Sequence, residues 1–164
     1  MPAASLEKSI QFYRANEKPY GVFSNLYNRS IEFEGQTFKN AEYAYQYGKS
    51  DDPKVRAWLM QAPNARLLAV VAHQLGAWDG VKAGWNVRKV ERMRGVVRAK
   101  FEQHEDLRDI LLSTRNARLV EAGTVDNTVN RFWGQVNGRG ENMLGRILMD
   151  VRADLRAPKR KGRT

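Results

Sequence analysis

Cysteine is missing from this sequence of 164 residues, and histidine occurs only twice. Without cysteine the chain has no disulfide, no thiolate nucleophile and no zinc site built on thiolates. His73 and His104 fall in different predicted helices, so neither has a second ligand at metal-binding spacing. We therefore expect no bound metal and no other cofactor.

Long apolar runs are also missing. None approaches the roughly 20 residues that a transmembrane helix needs, and the first ten residues lack the basic and apolar regions of a secretory signal. These absences predict a protein that has no membrane partner and works in the cytoplasm. The sequence is silent on the oligomeric state.

Acidic residues are too few to balance the basic ones. The chain has 28 Lys and Arg against 18 Asp and Glu, a formal charge of +10. Part of the excess lies in residues 158–164, which we expect to form a disordered basic tail behind one domain of residues 1–157. The remaining excess favours encounter with phosphates, nucleotides or nucleic acid, although a basic surface also serves solubility alone.

The hydrophobic pattern changes from strand-like to helical along the chain. Polar and apolar residues alternate over 9–13 and 30–34, as in half-buried strands, and Glu34-Gly35-Gln36 has turn chemistry. Helical periodicity begins after Asn40 and predicts these elements: helices over about 41–49, 53–60 and 65–75 (ending at Gly76), a helix with the stripe Val90, Met93, Val97 and Phe101, short helical signals at 107–111, a strand over 118–121, and a last helix over 144–155. The fold class is therefore α+β: a single compact domain, mainly α-helical, with a small antiparallel sheet near the N-terminus.

The first predicted helix carries polar groups where an apolar stripe is usual. Glu42, Tyr45, Gln46 and Lys49 follow the spacing i, i+3, i+4, i+7 and so share one face. Many aromatic residues lie nearby in sequence, and aromatic walls with a few convergent polar groups are typical of a ligand pocket. The alternative is an ordinary solvated helix face.

A second cluster is the glycine-rich stretch of residues 131–142, which leads into the last helix. Its glycines allow close backbone approach to a ligand, and Arg131 and Arg139 can bind phosphate. The alternative is a surface loop with one core tryptophan, Trp133. A third motif, Phe23-Ser24-Asn25 after Tyr20, either forms a turn or binds a ligand.

Taken in order, these motifs resemble the NADAR family (NAD- and ADP-ribose-associated, or YbiA-like). The resemblance covers residues 12 to 155 approximately. The matching elements are Tyr20-Gly21 with Phe23-Ser24-Asn25, Ile31-x-Phe33-x-Gly35-x-x-Phe38, Ala41-Glu42-Tyr43-x-x-Gln46-x-x-Lys49, Trp85 with Met93 and Lys100-Phe101, Leu119-x-Glu121-Ala122, Phe132-Trp133-Gly134, and Gly140-x-Asn142-x-Leu144-Gly145 with the helix that follows.

The resemblance implies an N-glycosidase that hydrolyses the ribosyl N-glycosidic bond of a phosphorylated or ADP-linked ribose. Family substrates are ribosylaminopyrimidine phosphates, which are early riboflavin intermediates, and ADP-ribosylated guanine, so the partner is a phosphorylated ribosyl small molecule or ADP-ribosylated nucleic acid. Two alternatives stay open: a module that binds ADP-ribose or NAD without cleaving it, and a basic nucleic-acid-binding protein that uses the cations of residues 88–100.

The chain departs from the family pattern three residues before Trp133, where an aspartate is usual and Asn130 stands. Asp126 is the nearest acid upstream. The predicted catalytic residues are Glu42, which activates water or stabilises the sugar cation, Lys49, which donates to the leaving base or forms an imine, and Asp126. The predicted substrate-binding residues are Tyr20, Phe23, Ser24, Asn25, Tyr45, Gln46, Asn130, Arg131, Trp133, Gly134 and Asn142.

Overall fold

The computed structural model describes residues 8–74 and 81–157. In chain order the elements are β1 (Ser9–Phe12), a 3₁₀ turn (Tyr20–Phe23), β2 (Ile31–Phe33), β3 (Gln36–Phe38), α1 (Ala41–Tyr47), α2 (Pro53–Met60), α3 (Ala65–Gln74), α4 (Trp85–Gln103), α5 (Glu105–Ser113), β4 (Arg118–Glu121), α6 (Thr128–Trp133) and α7 (Met143–Arg156). The predicted fold class, α+β and mainly helical, is confirmed. The expected basic tail lies outside the described residues.

The predicted antiparallel sheet is the hairpin of β2 and β3, in which Ile31 pairs with Phe38. Its turn residues Glu34 and Gly35 both have positive φ, 51° and 76°. Two consecutive positive φ values match the right-handed twist of the flanking strands. The hairpin therefore follows from local turn chemistry.

The strand predicted at 9–13 is present as β1, but it does not belong to that antiparallel sheet. It pairs in parallel with β4, so that Ser9 lies opposite Arg118 and Phe12 opposite Glu121. Ile10, Phe12, Leu119 and Val120 are all buried, so packing fixes the register. Because the strands are parallel, their carboxyl ends, Phe12 and Glu121, meet at one edge.

Side-chain caps fix three of the predicted helix starts. Asn40 accepts from the backbone N–H of Tyr43 at 3.3 Å, Asp52 from that of Lys54 at 2.8 Å, and Asn64 from that of Leu67 at 2.9 Å. α1 ends at Tyr47, two residues before the predicted end. α3 is described to Gln74, and its expected end at Gly76 lies outside the described residues.

One helix was not predicted. The glycine-rich stretch begins inside α6, which Asn127 caps by accepting from the N–H of Asn130 at 2.8 Å. None of its residues is fully buried, so its sequence has no apolar stripe from which a helix could be predicted.

Two apolar clusters form the core, and α1 lies between them. Tyr45 packs with the cluster of β1, β4, α4, α5 and α7, while Tyr43 and Ala44 pack with the cluster under the β2–β3 hairpin. The polar face of α1 is therefore held inside the protein from both sides. Among the described residues, no helix is long and apolar enough to span a membrane.

Lys100 of α4 is buried at 1% exposure, and its Nζ donates to the carbonyl of Ser24 at 3.0 Å. Burial lowers the pKa of Lys100 to about 7 from 10.5. Between these values the unfolded chain binds more protons than the folded one, so this side chain makes the protein more stable as pH rises from 7 to 10.

We predict that Lys100→Met removes this rise in stability. Urea unfolding at pH 7 and pH 10 measures the difference, which is expected to be roughly a few kcal/mol in the wild type at about 1.4 kcal/mol per pKa unit. Lys54→Met, on the exposed start of α2, serves as the control and is expected to keep the wild-type profile. A Lys100→Met protein with the wild-type pH dependence would contradict the prediction.

Candidate active site

The polar face of α1 is buried and internally bonded. Glu42 is 8% exposed, and its Oε1 accepts from Nε2 of Gln46 at 2.8 Å. Lys49 lies just after the helix, where its N–H donates to the carbonyl of Gln46 at 3.0 Å and continues the last turn. Its half-buried side chain donates from Nζ to the carbonyl of Ala72 at 2.7 Å. The alternative of a solvated face is wrong, because Glu42, Tyr45 and Gln46 are all buried.

Burial perturbs both charged groups on this face. It raises the pKa of Glu42, against the opposing effects of the Gln46 hydrogen bond and the Lys49 charge. It lowers the pKa of Lys49, an effect that Glu42 opposes and Lys89 reinforces. A carboxyl and an amine whose pKa values are shifted toward neutrality are typical of a site for proton transfer or nucleophilic attack.

Aromatic rings cover the same face. The ring of Tyr45 contacts Trp85 at 5.2 Å and Trp133 at 5.5 Å between centroids. Phe132 packs edge-on against Trp133 at 4.9 Å, and Nζ of Lys89 lies 4.2 Å from the centroid of the Phe132 ring. The structure thus brings Trp133 of the second sequence cluster to Tyr45, on the helix that carries the acid of the first.

Two buried amide oxygens near α1 have no hydrogen-bond partner in the described part of the chain. They are Oε1 of Gln46 and Oδ1 of Asn25. Asn25 donates from Nδ2 to the sulfur of Met93 at 3.0 Å, and its backbone carbonyl accepts from the N–H of Glu42 at 3.2 Å. Because an unpaired buried acceptor is costly, these oxygens are suited to hydroxyl or amino donors of a ligand.

Glu121, at the end of β4, is a site residue that the predicted set missed. Its side chain is partly buried. Burial, together with the charge of Glu42, raises the pKa of Glu121 to about 7. One sequence signal was present: a carboxylate directly follows the buried pair Leu119 and Val120, where a strand ends.

Asn142 and Gly134 hold this strand end in place. Asn142 is 2% exposed and makes two bonds to β4: Nδ2 donates to the carbonyl of Leu119 at 2.8 Å, and Oδ1 accepts from the N–H of Glu121 at 3.0 Å. A Cβ on Gly134 would lie 2.3 Å from the carbonyl oxygen of Glu121. Both residues therefore position Glu121, and their predicted contact with substrate stays a prediction.

We predict that Asn142→Ala destabilises the protein by about 2–4 kcal/mol, because it leaves two backbone groups of β4 without partners. Asn137→Ala is the matched control, since Asn137 has the same left-handed backbone, φ 50° against 53°, but is exposed. Urea unfolding of both variants separates the lost hydrogen bonds from backbone strain. Equal losses would show that the bonds to β4 contribute nothing.

The predicted residues Asp126, Asn130 and Arg131 make hydrogen bonds within the surface segment 125–131. Nε and Nη2 of Arg131 donate to the carboxylate of Asp126 at 2.5 and 2.7 Å, and this pairing lowers the pKa of Asp126. Nδ2 of Asn130 donates to the carbonyl of Val125 at 2.7 Å. No described contact joins these three side chains to α1, so their catalytic and binding roles stay predictions.

The third motif forms part of the core next to the site. Phe23 is 1% exposed and contacts Phe12 and Phe101, while Tyr20 stacks on it at 5.6 Å. The Oγ of Ser24 accepts from the N–H of Leu26 at 3.2 Å, as in a turn. Of this motif, Asn25 alone offers α1 a side-chain acceptor without a partner, and ligand contact by the others stays a prediction.

Most of the basic side chains of α4 make hydrogen bonds or ion pairs with other parts of the protein. Arg92 donates to the carbonyls of Ala44 and Tyr45 at the end of α1, and Arg94 and Arg98 pair with Asp150 and Asp154 of α7. These bonds leave fewer free charges for a nucleic-acid backbone than the sequence suggests.

Two surface cavities are lined by residues other than Glu42, Tyr45, Gln46 and Lys49 of the polar face. One, of about 260 Å³, lies beyond the ends of β1 and β4 and is lined by Gln11, Phe12, Tyr13, Arg14, Glu17, Ala122 and Thr124. The other, of about 360 Å³, is lined by Gln36, Tyr47, Pro53, Arg56, Ala57 and Met60. Neither contains a paired acid and amine, so the chemistry of the α1 face defines the candidate site better than cavity volume does.

Comparisons with known proteins bear on the family and the fold of the chain. The model of the NADAR domain family matches residues 11–156. N-glycosidase YbiA of Shigella flexneri is 35% identical over 147 residues, covering 89% of this chain and 88% of the relative. A riboflavin biosynthesis protein of Vibrio vulnificus is 34% identical over 92% of this chain and 39% of its own length. The NMR structure of YbiA from Escherichia coli superposes with a TM-score of 0.78 at 30% identity, covering 95% of this chain and 92% of that one.

Proposed function

The chain belongs to the NADAR domain family, and we propose on that premise that it hydrolyses the N-glycosidic bond of a phosphorylated or ADP-linked ribose at the α1 face. The single observation that carries the location is Glu42, a buried carboxyl that is bonded to Gln46 and feels the charge of Lys49, on the helix whose Tyr45 ring contacts Trp133. Relatives named N-glycosidase support the reaction type.

Breaking a ribosyl C1′–N bond builds positive charge on the sugar and negative charge on the base. In the direct route, the carboxylate of Glu42 stabilises the sugar cation and takes a proton from the water that attacks C1′. The electron pair of the broken bond goes to the base nitrogen. The free acceptors of Asn25 and Gln46 would bind ribose hydroxyls, and Trp133 would stack on the base or sugar.

Lys49 offers a second route. As a neutral amine it attacks C1′ and displaces the base, the sugar ring opens to an imine, and water then hydrolyses the imine to restore the amine. The lowered pKa of Lys49 favours the neutral form. One N–H bonded to the carbonyl of Ala72 leaves the nitrogen lone pair available.

A small cytoplasmic metabolite is the substrate class that the observations favour. Relatives include riboflavin biosynthesis proteins of Vibrio vulnificus and Zea mays. The internal pairing of α4 cations with α7 gives nucleic acid less free charge to contact. A ribosylaminopyrimidine phosphate is therefore the first substrate to test, and ADP-ribosylated guanine the second.

The test is incubation of the protein with three compounds: a ribosylaminopyrimidine phosphate, DNA carrying ADP-ribosylguanine, and NAD. Chromatography of the released bases follows each reaction. We expect the free aminopyrimidine from the first compound. Calorimetric binding of ADP-ribose without base release from any compound would instead support the binding module, and a steep loss of DNA affinity with salt, again without base release, would support the nucleic-acid-binding alternative.

A further inference from the structure

Two carboxyl groups from distant parts of the chain lie at the candidate site. Glu42 comes from the first turn of α1 and Glu121 from the end of β4. The Cβ of Glu121 lies against Gly134, and the preceding Trp133 contacts the Tyr45 ring of α1, so the end of β4 is linked to the helix that carries Glu42. Their surroundings differ. Glu42 accepts from Gln46 and feels the positive charge of Lys49, whereas the side chain of Glu121 has no hydrogen bond or ion pair within residues 8–74 and 81–157.

We propose that Glu121 is a second catalytic carboxyl, the general acid that delivers a proton to the leaving base, while Glu42 stays ionised. The proposal rests on the proposed function and adds a residue and a role to that site.

The surroundings decide which carboxyl holds the proton. Two neighbouring carboxylates in a poorly solvated site do not both ionise readily, and the one that receives hydrogen bonds and positive charge ionises first. Glu42 has both, from Gln46 and Lys49. The carboxyl of Glu121 has neither among the described residues: its own neighbours Gln135 and Asn142 bond to its backbone, and burial and the like charge of Glu42 both raise its pKa.

The backbone around Glu121 is built to hold it at the site. Its N–H donates to Oδ1 of Asn142 at 3.0 Å, and its carbonyl accepts from the N–H of Gln135 at 2.7 Å. A Cβ on Gly134 would come within 3.0 Å of the Cβ of Glu121, so glycine is needed for this close approach. Since Gly134 directly follows Trp133, the acid lies beside the segment that carries the indole proposed to stack on the substrate.

The proton movements balance in the direct route. The C1′–N bond breaks, its electron pair goes to the base nitrogen, and that nitrogen takes the proton of Glu121. Water oxygen bonds to C1′ and gives a proton to Glu42. Glu121 is then ionised and Glu42 protonated, and exchange with solvent restores the starting state. In the imine route Glu121 delivers the same proton when Lys49 displaces the base.

The test compares leaving groups. An aminopyrimidine must gain a proton as it leaves, whereas nicotinamide leaves a ribosyl phosphate as a neutral base without one. We expect Glu121→Gln to lower kcat for the ribosylaminopyrimidine phosphate by about 100-fold or more and to change nicotinamide release from nicotinamide ribosyl phosphate by less than about threefold. Glu141→Gln, in the exposed loop before α7, is the control and is expected to leave both rates unchanged.

A pH profile on the aminopyrimidine substrate gives a second readout that does not depend on nicotinamide release. We expect kcat of the wild type to fall above about pH 7, and Glu121→Gln to lose this fall. If Glu121→Gln does not fold, Glu121→Asp is used, which should keep the fall at a reduced rate. A wild type that releases base, with variants that keep full kcat and the same profile, overturns the role of Glu121 alone. A wild type that releases no base from any ribosyl compound overturns the proposed function itself.

Discussion

Glu42→Gln is expected to lower kcat for base release by about 1,000-fold while making the protein more stable at neutral pH. Glutamine keeps the shape of the side chain, and its amide oxygen can still accept from Gln46, but it has no charge to stabilise the sugar cation and takes no proton from water. Chromatography of the released base measures the first effect, and thermal unfolding measures the second.

The stability effect follows from the sign of the pKa shift. Burial raises the pKa of Glu42 above its ordinary value of 4.5. The folded protein therefore binds more protons than the unfolded chain above pH 4.5, and the contribution of Glu42 to stability falls as pH rises toward its folded pKa. Glutamine does not titrate, so the variant should gain stability over the wild type at pH 7 but not at pH 4.

The opposite directions of the two effects make the result decisive. A misfolded variant loses activity and stability together, whereas removal of a buried catalytic charge loses activity and gains stability. Glu32→Gln, at an exposed position of β2, is the control and should change neither quantity. Wild-type base release by Glu42→Gln would remove Glu42 from the mechanism.

Lys49→Arg is expected to lower base release by about 100-fold or more, and by a similar factor to Lys49→Met. Arginine keeps the positive charge but does not lose its proton under these conditions, so it forms no imine. If Lys49 acted only through its charge, arginine would retain much of the activity and methionine would not. Initial rates of both variants on the same substrate separate the two roles.

Borohydride trapping tests the covalent step itself. The wild type, mixed with substrate and borohydride, should gain the mass of a reduced ribosyl adduct on the peptide that contains Lys49. Lys54→Met, on the exposed surface of α2, should gain the same adduct, and Lys49→Arg none. If Lys49 matters for the rate but no adduct forms, direct hydrolysis assisted by Lys49 is the route.

Local sequence features predicted much of the candidate site. The spacing of Glu42, Tyr45, Gln46 and Lys49 is a property of one helix, and the cap by Asn40 fixes where that helix begins, so the shared face was predictable. Trp133 was predictable as a partner because the family resemblance linked the two clusters. Local sequence features do not predict how deeply this face is buried, because its burial depends on α1 lying between two apolar clusters.

The features that were missed depend on contacts between distant parts of the chain. β1 and β4 pair in parallel through residues such as Ile10 and Leu119, and periodicity does not reveal a partner at such separation. The position of Glu121 at the end of β4, against Gly134, follows from that pairing. Asn142 was predicted to bind substrate because it lies in the glycine-rich loop, but its side chain makes two hydrogen bonds to the backbone of β4.

Asn130 stands where the family usually has an aspartate, so the acidic groups of the candidate site must come from other positions. The amide of Asn130 bonds to the carbonyl of Val125, and the nearby acid Asp126 is paired with Arg131. Two other carboxyl groups interact electrostatically: burial, together with the charge of Glu42, raises the pKa of Glu121. The proposed mechanism therefore uses these two and assigns no step to Asp126.

The location of the ribose is the most direct test of this account, and a crystal structure with ADP-ribose bound would measure it. We expect C1′ to lie about 3–3.5 Å from Nζ of Lys49, with the carboxylate of Glu42 beside it and the indole of Trp133 against the ligand. Density for the ribose in the cavity by Arg14 and Glu17, with none at the α1 face, would contradict it.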